Sequence, residues 1–349
     1  MKKSVNKTIT IRDIALSCQV SPSTVSNILS GKRQVNSAAG KKVLAYAEKI
    51  GYQKIHQQRF KKAIHLILFR KHKLILCDTP VFSALVTALD NCCKAQGYAL
   101  SLSYIDALTL GEKATQKTIS QIVSDPTTPI LLLATEMSEQ DFHLFENAKA
   151  PIMVIGNLLP KVPFNIIDTD NFEAGRIAVQ HLIDKGHTHI GIISSSVPFD
   201  SAKKRKQGAL YALQEHDFPI KAEDILYLSP FAEETSDNMT QVIQNRKEQF
   251  PTAFFAINDY LALGAMHALI QHGFSIPKDI SLIGMDNMPF DCLVSPKLST
   301  IEAPIEETAR QAVLRLIALT QETEQYIMKS YMGVKLVERD SVLDLNTCK

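Results

Sequence analysis

The stretch Thr10-Ile-Arg-Asp-Ile-Ala-Leu-Ser-Cys-Gln-Val-Ser-Pro-Ser-Thr-Val-Ser-Asn-Ile-Leu-Ser-Gly31 contains two short apolar patterns separated by a break. The first pattern places apolar residues on one helical face at Ile11, Ile14, Ala15 and Cys18. Thr10 and Asp13 have the spacing of a capping box in front of it. The second pattern begins at Ser21-Pro22, which combines a preferred N-cap residue with proline at the first helical position. Two short helices with a tight turn are therefore expected.

A third helix is predicted from Ser37 to Ile50, and Gly51 ends it. Its inward positions are expected at Ala39, Val43, Leu44, Ala47 and Ile50. The second helix has an apolar face formed by Val25, Ile28 and Leu29, and its other positions are short and polar. Three short helices with a tight first turn predict a helix-turn-helix, whose second helix enters the major groove of DNA.

The polar side chains of the second helix are suited to contact DNA. Asn27 has the amide geometry for a bidentate contact with adenine, and Pro22 offers an apolar contact to a thymine methyl group. Ser21, Thr24 and Ser26 are candidate donors to phosphates. A small helical bundle that binds protein is the alternative interpretation of the same pattern.

Both this stretch and Lys41-Lys-Val-Leu-Ala-Tyr-Ala-Glu-Lys-Ile-Gly-Tyr52 resemble the headpiece of the LacI/GalR family of bacterial repressors. The resemblance implies that Pro22, Ser23 and Asn27 read bases. With the residues that follow the third helix, the predicted DNA contacts are Thr10, Ser21, Pro22, Ser23, Thr24, Ser26, Asn27, Arg59 and Phe60.

The segment that follows the third helix departs from the family pattern. The family has a proline where Lys54 stands, an Ala-Arg pair at Gln58-Arg59, and at Lys61 the leucine that inserts into the minor groove. Phe60 is the bulky apolar residue nearby, and we hypothesise that it takes the place of that leucine.

The charge of the chain is unevenly distributed. Residues 1–62 hold thirteen Lys and Arg against Asp13 and Glu48, a net charge of +11, whereas the remainder carries −9. A basic end on an acidic body is typical of a nucleic-acid-binding head, and a solvated basic tail is the alternative.

From about Ala63 the pattern changes to alternating strands and helices. Strands are predicted at Ile64–Phe69, Tyr98–Tyr104, Ile130–Ala134, Ile152–Gly156, Ile190–Ser194, Ala253–Ile257 and Ser281–Met285. Helices are predicted at Val81–Gln96, Ala174–Lys185, Lys204–Glu215 and Asp259–His272. This alternation predicts an α/β body with parallel sheets in two Rossmann-like lobes. Ligands of such folds bind beyond the carboxyl ends of the strands, here in the cleft between the lobes.

The body also resembles the effector domain of the same family, which shares its fold with periplasmic sugar-binding proteins. The resemblance is carried by His181–His187, Asn258–Ala265, Ile276–Asn287 and Leu336–Ser341. It implies three crossings of the chain between the lobes. Carried over by position, the effector-binding residues are Asp78, Phe82, Asn157, Ser201, Arg205, Phe231, Asn258 and Asp286.

These residue types suit a small polar ligand. Arg205 presents a rigid fork of donors, Asp286 accepts from hydroxyl or N–H groups, and Asn258 and Ser201 can do both. The two phenylalanines give flat apolar walls for a sugar ring or a base. The alternatives are that the phenylalanines belong to the core and that Arg205 faces water with the rest of the charge run Lys203–Lys206.

Four segments are expected: a DNA-binding head at residues 1–51, a hinge at 52–62, an effector-binding body at 63–341 and a tail at 342–349. No metal site, cofactor or catalytic constellation is predicted, and His187-Thr-His189 lacks neighbouring Cys or carboxylate residues in the sequence. Without a signal sequence, a membrane span or a disulfide framework, the chain is expected to be cytoplasmic.

The function expected from these features is that of a homodimeric repressor of transcription. Its binding to double-stranded operator DNA would be switched by a small molecule, with a carbohydrate as the first choice. Two alternatives stay open: a purine or nucleoside as the effector, or a small-molecule binding protein with a vestigial DNA head.

Overall fold

The computed structural model describes residues 10–29, 37–50, 62–71, 80–230, 232–246, 249–321 and 326–347. The chain divides into two compact units, Met1–Phe60 and Lys61–Lys349. They are called the head and the body below. No helix in the described ranges is both long and apolar enough to cross a membrane.

The described residues of the head form three helices: α1 (Ile11–Cys18), α2 (Pro22–Leu29) and α3 (Ala38–Lys49). The capping box ahead of α1 is formed, because the Asp13 carboxylate accepts from the Thr10 backbone N–H at 2.7 Å and the Thr10 hydroxyl accepts from the Asp13 N–H. α1 ends at Gln19, whose φ is 58°. The buried core of the head is Ile14, Ala15, Cys18, Val25, Ile28 and Val43.

The prediction that Leu44 faces inward is wrong, since its side chain is 39 % exposed. Val43 and Ala47 lie four residues apart on the buried face of α3, and Leu44 lies about 100° around the helix from Val43. Ala39 and Ile50 are half-buried. The inward face of α3 is therefore narrower than the sequence pattern suggested.

The described part of the body contains two six-stranded sheets, one in each lobe. Lobe 1 holds β1 (Lys62–Arg70), β2 (Tyr98–Asp106), β3 (Ile130–Leu133), β4 (Ile152–Ile155), β5 (Asn165–Thr169) and β11 (Lys329–Met332), in the order β11-β5-β4-β3-β1-β2. Lobe 2 holds β6 (Ile190–Ser195), β7 (Ile225–Leu228), β8 (Ala253–Ala256), β9 (Ser281–Met285), β10 (Ser299–Glu302) and β12 (Lys335–Val337), in the order β12-β10-β9-β8-β6-β7. The paired strands are parallel except for β12, which runs antiparallel to β10.

Helices cover both faces of each sheet, which explains why the central strands are apolar on both sides. The helices of the body are α4 (Pro80–Ala95), α5 (Ala107–Leu110), α6 (Glu112–Val123), α7 (Asn171–Asp184), α8 (Asp200–Glu215), α9 (Ala232–Asn245), α10 (Asp259–Gln271) and α11 (Ile305–Leu319). Short 3-10 helices occupy Glu139–Phe145, Ala222–Asp224 and Pro289–Cys292. α7 to α10 pack in lobe 2, whereas α11 packs with α4 in the core of lobe 1.

The chain passes between the lobes after β5, after β10 and between β11 and β12. The two-lobed α/β fold expected from the sequence is confirmed, as are the three crossings. The sequence analysis missed β5, β7, β10, β11 and β12, which are three to five residues long.

Helices α7 and α8 touch through their backbones at two glycines. A Cβ atom on Gly175 would lie 1.8 Å from the Arg205 carbonyl oxygen, and one on Gly208 would lie 1.8 Å from the Phe172 carbonyl oxygen. Only glycine permits so close an approach. This crossing fixes the part of α8 that carries Arg205 against the start of α7.

Candidate functional site

A cavity of about 1040 Å³, including its open mouth, lies between the carboxyl ends of the strands of the two sheets. Six of the eight predicted effector-binding residues line it, namely Phe82, Asn157, Ser201, Arg205, Asn258 and Asp286. The other two, Asp78 and Phe231, lie outside the described residues. The strand ends therefore bring together side chains that are up to 204 positions apart in the sequence.

Arg205 is held by three partners in the wall of this cavity. Its Nε donates to the Asn171 side-chain oxygen at 2.8 Å, and one terminal nitrogen donates to the Ile257 carbonyl at 2.7 Å. The other terminal nitrogen lies 3.4 Å from an Asp286 carboxylate oxygen. Since the side chain is only 12 % exposed, Arg205 does not face water with its lysine neighbours. Each terminal nitrogen keeps one N–H for which the described residues provide no acceptor.

Asp286 follows β9 directly and has an unusual backbone conformation. Its φ is 122° and that of Asn287 is 55°, both in a region that costs non-glycine residues strain and that is found at functional sites. Burial raises the pKa of Asp286 to about 7, with a smaller increase from Asp259, while Arg205 opposes the shift. At neutral pH the carboxyl group can therefore accept or donate a hydrogen bond to a ligand.

Asn258 has a structural role as well as a place in the cavity wall. Its side-chain oxygen accepts from the Leu261 N–H at 2.8 Å and so caps α10. This bond fixes the amide orientation and leaves Nδ2 as a donor.

Ser201 lies in the first turn of α8, which begins four residues earlier than the sequence pattern indicated.

Lobe 1 supplies a mainly apolar wall, made of Val81, Phe82, Leu85, Leu133 and Ile155. Thr135, Asn157, Asp168 and Thr169 add polar groups at the strand ends of this lobe. The Asn157 Nδ2 donates to the carbonyls of Ala134 and Met137, which fixes the orientation of the amide. The side-chain oxygen is buried and has no hydrogen-bond partner in the described part of the chain. The cavity therefore contains an acceptor that requires a donor from a ligand or from water.

A pair of carboxyl groups lies buried next to Asp286. Asp259 accepts from the Thr300 hydroxyl at 2.7 Å and from the Met288 N–H at 3.2 Å, and its charge interacts with that of the nearby Asp291. Burial and the mutual repulsion raise the pKa of Asp259 well above its ordinary value, and burial raises the pKa of Asp291.

In the head, α2 presents a polar face. Ser21, Pro22, Ser23 and Asn27 are exposed, and Thr24 and Ser26 are half-buried. The Ser21 hydroxyl accepts from the Thr24 N–H at 3.1 Å, and it lies 2.7 Å from the Ser23 hydroxyl. The Thr10 hydroxyl is engaged with Asp13. Arg59 and Phe60 lie outside the described residues.

Two family profiles match these two units. The profile of "Bacterial regulatory proteins, lacI family" matches residues 10–54, and that of "Periplasmic binding protein-like domain" matches residues 179–342. The HTH-type transcriptional repressor PurR of Actinobacillus pleuropneumoniae is 30 % identical over 345 residues, which cover 97 % of this chain and 99 % of that protein. The chain belongs to the LacI family.

A second relative and two solved structures are also similar to this chain over almost its whole length. The "Probable HTH-type transcriptional repressor ExuR" of Bacillus subtilis is 29 % identical over 97 % of this chain and its own full length. The solved "transcriptional regulator CelR-cellobiose complex" has a TM-score of 0.68 at 21 % identity over 95 % of this chain and 99 % of that one. The Lac repressor dimer bound to operator has a TM-score of 0.69 at 22 % identity over 97 % of this chain and all of that one.

The LacI family resemblance is thus confirmed, and the protein is a DNA-binding repressor of that family. Members of the family are transcription regulators rather than enzymes.

Sequence reasoning missed three residues that organise the cleft of this LacI-family repressor. Asn171 orients Arg205 and donates from its own Nδ2 to the Thr169 carbonyl at 3.0 Å. Lys204, on α8, donates to the Leu158 carbonyl at 3.1 Å and lies 3.7 Å from the Asp168 carboxylate, so that it ties lobe 2 to lobe 1. The signal was the polar run 168–171, which spans the end of β5 and the start of α7.

Proposed function

We propose that this LacI-family repressor binds a carbohydrate in the cleft and that binding changes its affinity for operator DNA. The observation that carries the proposal is Arg205. Its guanidinium is fixed by Asn171, Ile257 and Asp286, and it keeps one N–H on each terminal nitrogen for a ligand. A rigid fork of this kind matches two neighbouring hydroxyl oxygens of a sugar.

The rest of the cavity wall supports the same ligand class. Asp286 and the Asn157 oxygen accept from hydroxyls, and Asn258 Nδ2 donates. Phe82 and Leu85 form an apolar surface for the C–H face of a pyranose ring. The solved complex of the regulator CelR with cellobiose has the same fold, which supports a carbohydrate as the effector.

We propose that the switch works through the relative position of the lobes. A ligand that bonds to Arg205 on lobe 2 and to Asn157 on lobe 1 favours the lobe arrangement in which both contacts are made. A ligand can shift an equilibrium only by its difference in affinity for the two states, and these contacts supply that difference. The predicted hinge contacts of Arg59 and Phe60 would transmit the change to DNA.

We further propose that the repressor acts as a homodimer through the edge of the lobe 1 sheet. β2 is an edge strand, and Leu102 and Tyr104 on it are 39 % and 56 % exposed. Leu108 on the adjoining α5 is 62 % exposed. Apolar side chains on an open sheet edge are typical of an interface. A dimer with two heads would read an imperfect palindrome. We expect the repressor to act in the cytoplasm, where a bacterial chromosome lies.

A purine or nucleoside is the second candidate effector. The apolar walls would accommodate a flat base, and the amide groups would match its edges. A relative that covers almost the whole chain carries the name PurR.

The other alternative, a binding protein with a vestigial head, is disfavoured by the intact capping box and core of the head. An Asn27→Ala variant checks it: we expect roughly a tenfold or greater loss of operator affinity.

A thermal-shift screen of the full chain tests the proposal. The panel contains mono- and disaccharides, sugar phosphates, nucleobases and nucleosides, because a specific ligand raises Tm through linkage. We expect a carbohydrate to raise Tm, and Asp286→Ala to abolish the shift. A shift with nucleobases alone would favour the second candidate. A sugar shift that Asp286→Ala leaves unchanged would contradict the site.

A further inference from the structure

A second chamber adjoins the cavity described above, which is called the first chamber here. The second chamber has a volume of about 1460 Å³, including its open mouth. Arg205 and Asp286 line the first chamber and not the second. Four residues line both: Thr135, Asn157, Phe199 and Asp200. A ligand bound to Arg205 can therefore extend past these four residues into the second chamber.

The second chamber lies where two strands of different sheets end. The chain from Thr135 to Glu139 follows β3 of lobe 1, and the chain from Ser196 to Asp200 follows β6 of lobe 2. The carboxyl ends of parallel strands are the usual place for ligands in such folds. A group bound here would contact both lobes, as the ring in the first chamber does.

The charges of the second chamber are balanced. Its described lining holds three lysines and three carboxylates, namely Lys71, Lys203, Lys206, Glu136, Glu139 and Asp200. The Lys71 ammonium pairs with Asp141 at 2.9 Å, and Asp200 pairs with Lys204. A charged substituent would lose hydration here without an excess of opposite charge to compensate for it. The balance favours a neutral ligand group.

Hydroxyl groups are frequent in the same lining. They belong to Thr135, Ser194, Ser195, Ser196 and Tyr227. A hydroxyl group can donate and accept hydrogen bonds, and the hydroxyls of a sugar do the same. An apolar substituent would cover these groups without replacing their hydrogen bonds to water, which is costly. The neutral ligand group is therefore expected to be rich in hydroxyls.

Asn157 marks the passage between the two chambers. Its side chain is only 6 % exposed, and its Nδ2 donates to the carbonyls of Ala134 and Met137. Its side-chain oxygen has no hydrogen-bond partner in the described part of the chain. A buried acceptor of this kind requires a donor. A sugar hydroxyl next to the linkage between two rings would supply one.

Phe199 provides the apolar surface at the same passage. It is half-buried and lines both chambers. The C–H faces of sugar rings are apolar, so that a flat aromatic side chain can cover the rings on either side of a glycosidic linkage. Met137, Val197 and Leu159 extend this apolar surface into the second chamber.

We propose that the second chamber binds a second sugar ring, so that the effector is a neutral glycan of at least two rings. Asn157 accepts from a hydroxyl beside the linkage, and the hydroxyl-lined wall binds the hydroxyls of the second ring. The proposal rests on the carbohydrate function of the first chamber, to which it adds a second subsite.

Matched ligands test the second subsite in the full-length protein. Glucose and galactose are titrated calorimetrically beside the disaccharides cellobiose, maltose, lactose and melibiose, and beside the phenyl β-glycosides of the two sugars. We expect one disaccharide to bind roughly 10- to 100-fold tighter than its monosaccharide and its phenyl glycoside.

Three results would overturn the proposal. A monosaccharide that binds as tightly as every disaccharide containing it would refute the second subsite and leave the carbohydrate function intact. A phenyl glycoside that binds as tightly as the best disaccharide would show that the second chamber takes an apolar group. Failure of all these sugars to bind would refute the carbohydrate function and the second subsite together.

A variant that fills the second chamber provides the matching test on the protein. Ser196 is exposed and lines only the second chamber, so Ser196→Trp should block the second ring without touching the first. We expect this variant to lose the roughly 10- to 100-fold advantage of the disaccharide and to keep the monosaccharide affinity of wild type. The control is Ser120→Trp, at an exposed serine of α6 outside both chambers. Equal disaccharide affinities in the two variants would contradict the second subsite.

Discussion

The two walls of the cleft differ in how they are built. Lobe 2 contributes Arg205, Asn258 and Asp286, each already bonded to or in contact with other groups of the protein. Lobe 1 contributes an apolar surface around Phe82 and Leu85, with polar residues such as Asn157 at its strand ends. If the proposed carbohydrate binds here, we expect lobe 2 to determine which hydroxyls are recognised and lobe 1 to bury the face of the ring.

The two walls also differ in how much conformational freedom their side chains lose when a ligand binds. Side chains fixed before the ligand arrives lose little conformational freedom on binding, and this raises affinity. Arg205 is fixed from three directions, and the helix that carries it is fixed by the glycine contacts with α7. We expect substitutions that loosen lobe 2 to weaken binding more than those that trim lobe 1.

The largest effect is expected from Arg205→Ala. The change removes both free N–H donors and leaves Asp286 buried without its cation, so effector affinity should fall roughly 100- to 1000-fold. Phe82→Ala trims the opposite wall and should cost about tenfold. Isothermal titration with the ligand found by thermal shift measures both. Equal losses of effector affinity in the two variants would contradict the expected difference between the lobes.

The next largest effect is expected on stability. Gly208→Ala places a Cβ atom 1.8 Å from the Phe172 carbonyl oxygen and must separate α7 from α8. Urea denaturation should show the free energy of unfolding lowered by about 2–3 kcal/mol. Gly333→Ala is the matched control, because its added Cβ would meet nothing within 4 Å. If Gly208→Ala were as stable as the control, the helix contact would not position Arg205.

Lys204 tests the connection between the lobes. Lys204→Met leaves the Asp168 carboxylate, 8 % exposed, without its nearby cation, and stability at pH 7 should fall by about 1–3 kcal/mol. Adding Asp168→Asn should recover part of the loss, because the buried charge is removed as well. A double-mutant cycle by chemical denaturation measures the coupling between the two sites. Strictly additive effects would show that this ion pair does not hold the lobes together.

The smallest effect concerns the buried acid pair. The folded-state pKa values of Asp259 and Asp291 are raised, so folding takes up protons and stability is lost as pH rises above about 4, near the ordinary aspartate pKa. Asp291→Asn removes one carboxyl group of the pair together with its repulsion of Asp259. The variant should be more stable than wild type by about 1 kcal/mol or more at pH 8 and similar to it at pH 4. Parallel pH profiles of unfolding would contradict the raised pKa values of the pair.

How much the sequence predicted depended on the kind of signal. Caps and helical periodicity predicted the three helices of the head, and the strand-end position of Asp286 indicated a place in the cleft. β5 has only two apolar residues, whereas the predicted strands β3, β4 and β8 are apolar throughout. The polar run 168–171 was overlooked with it.

The partners of Arg205 could not be predicted for a different reason. Asn171 is 34 positions away from Arg205, and Ile257 contributes only a backbone carbonyl. A main-chain acceptor has no signature in a sequence. The close contact of Gly175 and Gly208 likewise becomes visible only when the two helices are placed together.

The most direct test of the central claim measures operator binding and effector binding on the same molecule. Fluorescence anisotropy gives the Kd for a palindromic operator, with and without a saturating concentration of the carbohydrate identified by thermal shift. We predict that the carbohydrate changes the operator Kd of wild type by about tenfold or more. The operator Kd of Arg205→Ala should be unchanged by the same concentration. An operator Kd that the bound carbohydrate leaves unaltered in wild type, or alters equally in Arg205→Ala, would contradict the account.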